Sequence, residues 1–158
     1  MTDDFPIRRA FPDEAASLSK IALAAKAHWG YPERWLEIWM PQLTFSPEYF
    51  KQNESWVAEE KGLPIAFCTL QEKDGNAWIG NLWVSPECIG KGVGKTLFSH
   101  VARLSGQRGY QILRLEADPN AVGFYEKMGM RRIGERHAEV EGHPRILPIM
   151  EISLSDLV

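Results

Sequence analysis

Cysteine, long apolar runs and a basic excess are all scarce in this chain. Only two cysteines, Cys68 and Cys88, occur in 158 residues, and they supply neither a CxxC metal pair nor a disulfide framework. Both read as small core residues in a reducing compartment, so a cytoplasmic location is expected. The longest apolar stretches, Ile21 to Ala25 and Ile65 to Leu70, fall far short of the roughly 18 residues that span a bilayer; no membrane segment is expected. The start, Met1-Thr-Asp-Asp-Phe-Pro, is acidic and has no apolar core, so no secretory signal is read there. His28, His100, His137 and His143 lack metal-ligand spacing, and no metal site is expected. A net charge of −3 argues against a general nucleic-acid binder, which carries a strong basic excess.

What is present fits one folded domain spanning residues 1–158. With 44% hydrophobic and 25% charged residues, the chain lacks the low hydrophobicity of disordered segments. The mean charge hides an asymmetry. Between Pro86 and Arg114, Lys91, Lys95, Arg103, Arg108 and Arg114 stand against Glu87 alone, a local +4 that leaves −7 for the remainder. A basic segment inside an acidic protein is suited to a small polyanionic ligand, although a solvated basic helix face has the same signature.

The periodicity predicts a mixed α+β order. Phe5 to Arg9 reads as a first strand and Pro12-Asp13-Glu14 as a helix start. Leu18, Ile21, Ala22, Ala25 and Trp29 then recur at helical spacing. A second helix runs from about Pro32 to Met40, and Ser46-Pro47 opens a third with serine as N-cap and proline at the first helical position. Ser55 to Glu60, Leu63 to Gln71 and Ala77 to Val84, separated by Lys61-Gly62 and Asp74-Gly75-Asn76, read as an antiparallel meander. Gly92 to Gln107 is an amphipathic helix, Gln111 to Ala117 a strand and Asn120 to Met128 a short helix. Met130 to Arg136 and Arg145 to Ser153 are a final strand pair around Gly142-His143-Pro144. Edge strands near the C-terminus leave room for a homodimer through strand pairing.

The chemistry sits in Leu82-Trp83-Val84-Ser-Pro, followed by Ile89-Gly90-Lys91-Gly92-Val93-Gly94-Lys95-Thr96. Three glycines at a junction of strand and helix let the backbone approach a ligand, and the N–H groups of a helix start form a site for phosphate oxygens. Lys91 and Lys95 add charge where the helix dipole already favours an anion. A pyrophosphate ligand follows, its identity open. Gly94-Lys95-Thr96 imitates the end of a Walker A loop, but the first glycine of that loop would stand at residue 89, which is Ile89. The Rossmann spacing fails as well, and the preceding strands form a meander and not a βαβ unit.

Taken with Asp118-Pro-Asn120-Ala-Val-Gly-Phe-Tyr125-Glu-Lys-Met-Gly129, this segment resembles the GNAT superfamily of acyl-CoA-dependent N-acetyltransferases over roughly Trp56 to Gly129. The resemblance implies a mostly antiparallel sheet, split between strands 4 and 5 and flanked by helices, with acetyl-CoA as co-substrate. It implies that the backbone of Leu82, Trp83 and Val84 pairs with the pantetheine amides and that Ile89 to Thr96 wraps the pyrophosphate. Asn120 matches the asparagine near the cofactor arm, and Tyr125 the tyrosine set near the sulfur. An amine attacks the thioester directly, a backbone N–H near Val84 serves the oxyanion, and the tyrosine hydroxyl serves the departing sulfur. Tyr125 also reads as a core aromatic, since Val122, Tyr125 and Met128 recur at spacing three.

Two departures stand out. Ile89 occupies a position where the family commonly has Gln or Arg. Gly80 stands where many members carry a glutamate general base, which leaves Glu116 first among replacements, ahead of Glu72, Glu60 or a water held by Asn81. The acceptor is expected to be a small-molecule amine, bound by the segment holding His28, Trp29 and Tyr31 through an aromatic wall with cation–π character; Trp35 and Trp39 read equally as packing residues. The alternative function, favoured by Gly80, is a noncatalytic acyl-CoA-binding or sensory module of the same fold.

Overall fold

The computed structural model describes residues 5–157, and they form two compact units. The first takes in the chain up to Leu70 together with Asn81–Val101; the second takes in Gln71–Gly80 together with the chain from Ala102 onward.

The first unit opens with strand β1 (Ile7–Arg9) and a 3-10 turn at Pro12–Glu14, then helix α1 (Ala15–His28). The apolar residues of α1 at spacings of four and three, Leu18, Ala22 and Ala25, are its buried stripe. Helices α2 (Glu33–Trp39) and α3 (Pro47–Gln52) follow. Ser46 caps α3 as expected: its side chain accepts from the Tyr49 N–H, with Pro47 at the first helical position. Strand β2 (Ser55–Glu60) pairs antiparallel with β1 and with β3 (Leu63–Lys73), placing Ser55 opposite Thr69 and Val57 opposite Phe67. Alternation along β2 sends Ser55 and Val57 to one face and Trp56 to the other. On the first face, Phe67 meets the rings of Phe45 and Phe50 at 5.5 and 5.9 Å. On the second, Trp56 stands edge-on to His100 at 4.5 Å, on helix α4 (Val93–Gln107). Strand β4 (Asn76–Val84) ends in this unit, and the Ser85 N–H donates to the Ile65 carbonyl.

In the second unit, β4 pairs in parallel with β5 (Ile112–Glu116), Ala77–Ile79 against Leu113–Leu115. A parallel pair demands a crossover, which α4 supplies. Helix α5 (Val122–Lys127) follows a 3-10 turn at Pro119–Ala121. Strands β6 (Arg131–Val140) and β7 (His143–Ser153) form an antiparallel hairpin, with β7 also paired to β5. This hairpin is longer than the sequence predicts. Glu141 and Gly142 both take positive φ, 48° and 79°, so the reversal needs only these two residues and the ladder continues to the turn. His143 and Pro144 are therefore strand residues and not loop.

The strand order is β1-β2-β3-β4-β5-β7-β6 in a seven-stranded sheet, the expected α+β class. No helix among the described residues is long and apolar enough to cross a membrane.

Candidate functional site

In the first unit, the glycine loop joins β4 to α4. A 3-10 turn at Pro86–Cys88 leads into it, and the Lys91 N–H donates back to the Cys88 carbonyl at 3.2 Å. Gly90 and Gly92 hold φ of +88° and +85°, and a Cβ added at either would meet nothing within 4 Å. The left-handed backbone is what requires glycine at these two places, and the space before them is open. The first intrahelical donor is Thr96, whose N–H and hydroxyl both reach the Gly92 carbonyl at 3.0 Å. The N–H groups of Val93, Gly94 and Lys95 lie before that first bond and have no helical carbonyl to meet. With Lys95 exposed beside them, they form a cradle of donors and positive potential fit for a phosphate group. Val93 and Gly94 are buried, whereas Ile89, half exposed, stands at the mouth of the loop. Lys91 is partly diverted, its Nζ lying 3.6 Å from a Glu60 oxygen. Burial raises the Cys88 thiol above its ordinary range.

Leu82, Trp83 and Val84 end β4 and are all half-buried. Sequence reasoning missed what stands beside them. The Trp83 indole N–H donates to Asn81 Oδ1 at 3.0 Å, and Asn81 Nδ2 donates to Tyr49 Oη at 2.8 Å. Tyr49 Oη donates to Thr69 Oγ1 at 3.1 Å, and Thr69 Oγ1 meets Ser55 Oγ at 2.9 Å. These residues come from α3, β2, β3 and β4, so no local motif announces them.

The aromatic segment after α1 is partly open. Trp29 is 39% exposed, with the His28 ring edge-on to it at 6.0 Å. Tyr31 packs against Trp39 and Trp35 at 5.0 and 6.1 Å. The Lys26 ammonium lies over the Trp39 and Tyr31 rings at 4.5 and 5.0 Å, so this wall already holds an alkylammonium from the chain itself.

In the second unit, Tyr125 is 8% exposed on α5, and its carbonyl accepts from the N–H groups of Met128 and Met130. Asn120 lies in the turn before α5, where Asp118 Oδ1 accepts from both its backbone N–H and its side chain at 2.9 and 3.1 Å. Asp118 in turn sits 3.7 Å from Arg145, each side chain only 11% exposed. Glu116 is held by Arg136 in a two-pronged fork, both contacts 2.8 Å. That fork engages one lone pair on each oxygen and ties the carboxylate to β6. Glu72 is exposed near the hairpin turn of β3. At Gly80 an added Cβ would lie 2.6 Å from Gln71 Oε1. A neutral carboxamide thus covers the position where a glutamate would stand. Among the described residues, no three His, Cys, Asp or Glu side chains gather as a metal-holding group.

Residues 21–130 match the family model described as the acetyltransferase (GNAT) family. The chain is 30% identical over 98 residues to the peptidyl-lysine N-acetyltransferase YjaB of Salmonella typhimurium, covering 61% of this chain and 63% of that protein. The chain therefore spans somewhat less than two thirds of that relative. Its fold is similar to a GCN5-related N-acetyltransferase from Rhodopseudomonas palustris, with a TM-score of 0.81, 25% identity, and 95% and 96% of the two chains covered. It is also similar to the PaiA N-acetyltransferase of Thermoplasma acidophilum, solved in complex with coenzyme A, with a TM-score of 0.73, 23% identity, and 97% and 99% covered.

Proposed function

Because the chain belongs to the acetyltransferase (GNAT) family, we propose that it transfers an acetyl group from acetyl-CoA to the primary amine of a small molecule by direct attack. The observation that carries this reading is the open cradle at Gly90 and Gly92 before the start of α4. It suits a pyrophosphate bound through backbone N–H groups with Lys95 beside it. When bound, acetyl-CoA supplies the activated acyl group as a thioester. The chain's residues do the rest. Ile89 to Thr96 hold the pyrophosphate, the Leu82–Val84 backbone orients the pantetheine amides, and Asn120 stands by the cofactor arm. The Tyr125 hydroxyl donates a hydrogen bond to the sulfur. Holding both reactants together supplies on the order of 7–11 kcal/mol of the barrier reduction without a covalent enzyme intermediate. Glu116 receives no proton-accepting role, because Arg136 engages both of its oxygens.

A noncatalytic acyl-CoA module is the second reading, favoured by Gln71 standing over Gly80 in place of a carboxylate. Calorimetry with CoA and thiol release from acetyl-CoA across a panel of amines test both. CoA is expected to bind, Gly92→Glu to abolish that binding, and Tyr125→Phe to slow thiol release by a factor of about 10². Undiminished CoA affinity in Gly92→Glu would contradict the loop assignment. CoA binding without thiol release for any amine would favour the noncatalytic module. The Salmonella relative is named for peptidyl-lysine, so a lysine peptide belongs in the panel beside free amines.

A further inference from the structure

The hydrogen-bonded chain running from Trp83 to Ser55 has a direction fixed by its own chemistry. An indole nitrogen only donates, so Asn81 must turn its oxygen toward Trp83 and its NH2 group toward Tyr49. Tyr49 Oη therefore accepts from Asn81, and its own proton goes to Thr69 Oγ1. Thr69 meets Ser55, and the Ser55 hydroxyl reaches the Asn53 carbonyl at 3.3 Å. A carbonyl accepts a hydrogen bond but passes no proton onward. The chain consequently orients groups and does not conduct protons.

The two ends differ in environment. Thr69 and Ser55 are 0% and 2% exposed, and two core hydroxyls are a costly choice against valine or alanine unless their bonding serves a purpose. Asn81, Trp83 and Tyr49 are half-buried. At that open end, Tyr49 Oη keeps one lone pair, and Asn81 keeps a lone pair on Oδ1 and one N–H on Nδ2. With its proton committed to Thr69, Tyr49 presents only an acceptor outward.

We propose that Tyr49 Oη and Asn81 Oδ1 form the acceptor subsite, taking the N–H groups of a primary alkylammonium next to the end of β4, with Thr69 and Ser55 as positioning residues behind them. This assignment rests on the acetyl-transfer reading for its purpose but not for its test. The full-length chain is titrated with ethylamine, tyramine and Nα-acetyl-lysine methylamide, with and without CoA, while the indole N–H resonance of Trp83 is followed. At least one probe is expected to shift that resonance saturably. Tyr49→Phe is expected to raise that probe's half-saturation about tenfold, the loss of one charge-assisted hydrogen bond, and to leave CoA affinity unchanged. Should Tyr49→Phe fail to fold, Asn81→Asp serves in its place. It adds a negative charge facing the ammonium and is expected to lower the half-saturation by a similar factor. A Trp83 resonance that no probe moves overturns the subsite, as does a half-saturation unchanged in these variants. Failure of CoA to bind would count against acetyl transfer instead, and the amine titration would still judge the subsite.

Discussion

Single side chains decide most of what separates this protein from the pattern its motifs suggest. Gly80 removes a carboxylate from β4, and the Gln71 amide covers the place. Glu116, first among the expected replacements, is engaged by Arg136 at both oxygens. Glu116→Gln is therefore expected to leave the pH dependence of kcat/KM unchanged; loss of its acid limb in that variant would make Glu116 the base after all. Residues were legible in the sequence where their task is local. Gly90 and Gly92 are readable because a turn of backbone at positive φ demands glycine wherever it occurs. Tyr49 was not, because its meaning lies in Asn81, Thr69 and Ser55, which only strand pairing brings to it. The partner of Glu116 was not legible for the same reason: Arg136 lies twenty residues away on another strand.

At the scale of elements, periodicity served well and boundaries less so. The Ser46-Pro47 start of α3 and the span Ser55–Glu60 of β2 follow the expectation. The β6–β7 hairpin outran it, since Pro144 and the exposed polar residues of β6 look like loop until the Glu141–Gly142 turn is known. One buried carboxylate in this hairpin has a consequence for stability. Glu151 on β7 accepts from Arg114 at 2.8 Å and from Arg131 at 3.3 Å. The Arg114 hydrogen bond holds its carboxyl below the usual carboxylate range, with Arg131 adding to the effect. A folded-state pKa below the unfolded one contributes stability that is fully present above the ordinary carboxylate range and is lost as pH falls through the lowered value. Glu151→Gln is predicted to cost about 2 kcal/mol at neutral pH, roughly 5 °C in Tm. The difference from the parent chain should shrink toward zero as the solution is acidified, as thermal melts across pH would record. A constant difference at every pH would show that Glu151 contributes through packing alone.

For the whole molecule, the sequence conveyed the mixed α+β class and the succession of elements along the chain, because each strand and helix carries its own period. The β4, α4 and β5 crossover is also marked by a glycine-rich junction. The charge asymmetry takes on a location: the exposed lysines at the start of the basic segment, Lys91 and Lys95, stand at the glycine loop proposed to hold the pyrophosphate, with Lys91 balanced by Glu60. What the chain order could not convey is which polar groups meet a substrate, because those groups are joined only by the tertiary structure. The central claim, acetyl transfer to an amine, is tested most directly by incubating the full chain with acetyl-CoA and the amine panel. Released thiol and acetylated amine are then quantified in the same reaction. Both products are expected in equal amounts with at least one amine. Thiol released with no acetylated amine, or neither product with any amine while CoA binds, would contradict that claim.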